Sequence, residues 1–101
     1  MDDKWKEILE KDRDWDFAFL LIILKHKLER MSAAFKSGAA ITVKAHDRAA
    51  EMDIVIAALS RLLADTYYSD WDNWADAEAE QSRDLDLAFD TMKENILGWW
   101  D

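Results

Sequence analysis

The 101 residues contain no proline and only two glycines, Gly38 and Gly98. Proline and glycine are the strongest interruptions of a helix, so long helices can run unbroken on either side of Gly38. The apolar spacing agrees. Trp5, Ile8 and Leu9 follow i, i+3, i+4 in a short first helix, expected from about Lys4 to Lys11 with Asp2 or Asp3 as N-cap. A second helix is expected from Trp15 to Lys36, with Asp12 and Asp14 as N-cap candidates and Gly38 as its stop.

The second helix carries one apolar stripe of Phe17, Leu20, Leu21, Leu24, Leu28, Met31 and Phe35. Phe19, Ile22 and Ile23 add another, so its first half is apolar nearly all round. That pattern predicts burial on several sides, by three helices or by a dimer partner. A third helix, Ala39 to Thr66, aligns Ile41, Ala45, Ala49, Met52, Ile56, Leu59 and Leu63. A fourth, Trp71 to Leu97, aligns Trp71, Trp74, Leu85, Ala88, Met92, Ile96 and Trp99, interrupted by Glu78 and Gln81. Ser69-Asp70-Trp71-Asp72 has capping-box spacing before it. Gly98 is expected to supply its C-terminal turn, with Trp99 and Trp100 folding back. Short connections make neighbours antiparallel. The expected fold is all-α: an antiparallel bundle of three long helices plus a short N-terminal one, in a single domain over residues 1–101.

Half the residues are apolar and six are Trp, enough for a core without disulfides, and there is no Cys to form one. The longest apolar run, Phe17 to Leu24, is too short for the roughly 20 residues a bilayer requires. No apolar run follows Met1-Asp2-Asp3-Lys4-Trp5 as a signal would, so a cytoplasmic protein is expected. Charge is uneven. Residues 1–50 hold ten Lys/Arg and nine Asp/Glu, whereas 51–101 hold three and thirteen. The acidic half disfavours duplex nucleic acid, whose affinity rests on phosphate contacts.

The usual chemistries lack their residues. Glu7 and Glu10 form one i, i+3 acidic pair, but a second magnesium-binding pair is missing because Ser32 follows Glu29 at that spacing. Asp70 to Asp76 fails the EF-hand pattern, with Trp74 at the fifth position and no Gly at the sixth. Pairing the second and third helices about Gly38 sets His26 near Met52 and His46 near Ser32, on the order of 9 Å apart and unsuited to a shared zinc. No glycine-rich phosphate loop exists. Catalytic, cofactor and metal residues are therefore assigned as none.

Two binding sets remain. Lys25, Lys27 and Arg30, with Trp15 or Trp71 for stacking, could hold a small nucleotide. Asp70, Asp72, Trp74 and Asp76 combine acid with Trp, the residue most enriched at binding hot spots, and could hold a protein.

Asp12-Arg13-Asp14-Trp15-Asp16, Leu20-Leu21, Lys27-Leu28-Glu29-Arg30-Met31, and the end from Met92 to Ile96 with Gly98-Trp99-Trp100-Asp101 are the runs of interest. Over most of its length the chain resembles small all-helical proteins encoded in bacteriophage genomes, a class with no established activity. The resemblance carries over no functional residue. It implies a setting, the cytoplasm of an infected bacterium. The expectation is a non-enzymatic interaction protein, a homodimer or higher homo-oligomer, that binds a host or phage protein and inhibits host defence. The alternatives are an oligomeric sponge for a small nucleotide signal and a virion or assembly component.

Overall fold

The computed structural model describes residues 3–11, 16–38, 44–69 and 73–100. They form α1 (Asp3–Lys11), α2 (Phe17–Lys36), α3 (Ala45–Ala64) and α4 (Trp74–Asn95), followed by a 3-10 turn at Ile96–Gly98. The all-α bundle expected from the spacing is what the chain builds.

The helix ends differ in detail from those expected. The cap of α2 is Asp16, whose carboxylate accepts the amide N–H of Ala18 at 2.9 Å, so the helix opens at Phe17. Asp12 and Asp14 lie outside the described residues, as do Asp2, Ile41, Asp70 and Trp71. At the other end Ser37 is the C-cap and Gly38 follows at φ 85°, a left-handed conformation that glycine adopts at little cost. Helix α3 ends at Asp65, which takes the same left-handed region at φ 50°. Asn73 occupies the N-cap position of α4.

Gly98 closes the 3-10 turn that follows α4, without the left-handed φ found at Gly38. What it supplies is space, because a Cβ there would meet the Arg48 guanidinium carbon at 3.0 Å. Of the two residues expected to fold back, Trp99 is buried and Trp100 stays exposed.

Helix α3 is the centre. Met52, Val55 and Leu59 have no exposed surface, and neither do Ala49 and Ala58. Those alanines, with Ala88 on α4, let the backbones approach closely. Leu21, Leu28 and Phe35 of α2 pack from one side, and Ala88, Met92 and Trp99 from the other. Ser32 donates to Asp53 at 2.7 Å and Lys36 to the other oxygen of Asp53 at 2.6 Å, fastening α2 to α3. These bonds set Ser32 against Asp53, seven residues beyond His46, because α3 begins at Ala45. The two histidines are correspondingly separated in role: His26 meets Trp5 of α1 edge-on at 4.6 Å, and His46 is exposed.

Helices α2 and α4 each lie along α3, but no comparable interface joins them to one another. The molecule is accordingly flat, 49 × 31 × 18 Å. The all-round burial expected for the start of α2 is therefore only partial. Helix α1 covers one side and α3 another, while Phe17 and Leu20 remain 76% and 67% exposed. None of the described helices is long and apolar enough to cross a membrane.

Candidate functional site

The gap between α2 and α4 is a groove of about 530 Å³ at one end of the slab. Its floor is Leu62 and Leu63 of α3. One wall is Phe17, Ala18 and Leu21, and the other is Leu85 and Phe89. Asp65, Glu78, Gln81 and Ser82 complete the lining. The Asp16 cap fixes Phe17 in the first turn of α2, and Leu85, Phe89 and Glu78 share one face of α4 at i, i+4 and i−7 spacing. Leu85 and Phe89 are 45% and 44% exposed. The groove is thus apolar inside and open to water, and among the described residues its lining carries only negative formal charge.

A second, polar cleft of about 400 Å³ sits on the other side of α4. There Asp84 accepts from Arg61 Nε at 2.8 Å on one oxygen and from the Tyr67 hydroxyl at 2.5 Å on the other. The Arg61 hydrogen bond, aided by Tyr67 and opposed by burial, holds the Asp84 carboxyl below its ordinary range. Burial, then the bond to Asp84, pushes Tyr67 up. Asp84 raises Arg61 in turn. An acid with both oxygens engaged and its charged form stabilised is a poor proton acceptor. The cluster is a latch between α3, its following turn and α4.

Lys25 pairs with Glu29 at 3.4 Å. At 100° per residue, Lys27 and Arg30 project about 60° apart and Lys25 some 140° or more from either, so the three do not converge. Trp15, Trp71, Asp70 and Asp72 lie outside the described residues. Trp74 packs edge-on against Tyr68 at 5.2 Å and is half-exposed. Asp76 is exposed, about 160° around α4 from Trp74. By spacing alone, the groove residues Phe17, Leu21, Leu63 and Leu85 fall on apolar stripes expected to form the core, and Leu62 and Phe89 lie off them. The available signal was a surplus: Leu85, Leu87 and Phe89 alternate along α4, and one helical stripe cannot bury all three.

No family model matches the sequence, and no curated protein or solved structure matches it at a significant level.

Proposed function

We propose that this chain is a non-enzymatic interaction protein that holds a partner protein against the α2–α4 groove. The observation that supports the reading is the groove itself, where Phe17, Leu85 and Phe89 stay substantially exposed and face one concavity floored by Leu62 and Leu63. Exposed apolar surface gathered in one concave place marks an interaction site. Over Trp74–Asn95, seven acids stand against two bases, which gives the adjoining surface a field that favours basic partners.

Within the phage setting implied by the sequence resemblance, the partner is a host or phage protein in the cytoplasm of the infected cell. Inhibition of a host-defence component is the outcome we favour, because an acidic helical surface can occupy a basic nucleic-acid site on an enzyme.

Affinity capture of the tagged protein from infected bacteria tests this, run in parallel with Phe89→Asp. A partner recovered stoichiometrically with the wild type and lost with Phe89→Asp supports the reading. A partner indifferent to Phe89→Asp, or none recovered, defeats it.

A further inference from the structure

We infer that the groove receives a basic amphipathic helix, lying between α2 and α4 over the C-terminal half of α3. This rests on the interaction reading above and specifies the chemistry of the partner.

Three helices border a gap on three sides, and the missing side is the position a fourth helix takes in a bundle. Such grooves are commonly filled by an amphipathic helix whose anchors fall at i, i+3, i+4 and i+7. Phe17 and Leu21 on one wall, Leu85 and Phe89 on the other, and Leu62 and Leu63 below offer apolar contact to that stripe.

Charge decides what flanks the stripe. Among the described residues, the ionisable ones that line the groove are Asp65 and Glu78, both acids. Asp16, the cap immediately before Phe17, adds a third acid at the same end. Lys or Arg beside the apolar anchors would find carboxylates, whereas Asp or Glu there would meet like charge. The same sign disfavours a second copy as occupant. A two-fold contact sets each surface patch against itself, which would bring Asp65 and Glu78 toward their own equivalents in chains that each carry a net charge of −9. A bare anion or nucleic-acid strand is disfavoured for the same reason.

The test uses the full chain and two labelled synthetic helices that share one leucine stripe, one flanked by Lys and Arg, the other by Glu. Fluorescence anisotropy should show the basic peptide binding about tenfold or more tightly at low salt, with the preference shrinking as salt rises. Asp65→Lys combined with Glu78→Lys should reverse the preference, and Phe89→Asp should abolish both. Circular dichroism of each variant confirms that the helices persist, since all three positions are exposed. Equal binding of the two peptides, or binding of neither, overturns the inference. So does a wild-type dimer in sedimentation that Phe89→Asp dissociates, because a second copy then fills the groove. If cellular capture is lost in Phe89→Asp while the peptides show no charge preference, only the basic-helix inference fails; if capture ignores Phe89→Asp, the broader reading fails with it.

Discussion

Trp99 Nε1 donates a 3.1 Å hydrogen bond to Glu51 Oε1, closing a span of 48 residues. The same carboxylate accepts from Arg48 at 3.0 Å, and Arg48 lies where a side chain at position 98 would go. The end of the chain is therefore pinned to the first half of α3 by one indole, one carboxylate and the absence of a Cβ.

Removing the indole N–H and removing the whole side chain should differ in size. Trp99→Phe leaves Glu51 bonded to Arg48 and should cost about 1 kcal/mol. Trp99→Ala empties a buried site and should cost about 3–5 kcal/mol. Urea unfolding followed by circular dichroism measures both. Equal losses would mean that the Trp99 ring is not packed as described.

Stability should fall at both ends of the pH scale for nameable reasons. For Asp53, burial works to raise the pKa but is outweighed by the bonds from Lys36 and Ser32, leaving it below the ordinary 3.8. Asp84 is lowered chiefly by Arg61. A carboxyl with a lowered folded pKa takes up protons more readily in the unfolded chain, so its contribution is present above the ordinary value and lost as pH falls through the folded one. The urea midpoint should decline below about pH 5, and less steeply in Asp84→Asn. Tyr67 is raised above its ordinary 10.0, so the unfolded chain loses that proton first and stability should also fall as pH rises past 10. Tyr67→Phe should lack the alkaline component. An unchanged profile in either variant would remove the latch from the account.

Most of the fold is legible in the sequence because α3 obeys a single rule. Ala49, Met52 and Leu59 fall on one face by spacing, and all three are fully buried. Gly38 ends α2 as its position suggests. The groove is harder to read because periodicity reports which face of a helix is apolar and not how far neighbouring helices spread. Phe17, Leu85 and Phe89 have the same pattern as core residues, and only the splay of α2 from α4 leaves them open. Gly98 shows a similar limit: its position after the last helical stripe suggests a cap, whereas the structure sets it against the Arg48 guanidinium, 50 residues earlier in the sequence.

The fully buried alanines predict a size limit. Ala49 and Ala58 on α3 and Ala88 on α4 have no exposed surface, so a larger side chain at any of them must push helices apart. Ala58→Leu should destabilise by about 1–3 kcal/mol, although leucine is at least as apolar. Ala50, on the exposed side of α3, should accept leucine within about 0.5 kcal/mol. Thermal unfolding of the pair checks the contrast, and a neutral Ala58→Leu would indicate slack between α3 and its neighbours.

Binding and stability should separate at the groove, which distinguishes a docking surface from a poorly packed core. Met52→Ala removes a side chain with no exposed surface and should cost about 2–5 kcal/mol. Phe17 already presents most of its ring to water, so Phe17→Ala gives up little burial and should change stability by less than about 1 kcal/mol. If the groove is where a partner docks, Phe17→Ala should nevertheless weaken capture severalfold, because the ring forms one wall. Phe17→Asp should weaken it further while making the free chain more soluble. Parallel measurements of the unfolding midpoint and of partner affinity for these three variants resolve the two effects. Loss of stability without loss of binding in Phe17→Ala would mean that the ring completes the core, and the groove would then have to be read as a packing defect rather than a site.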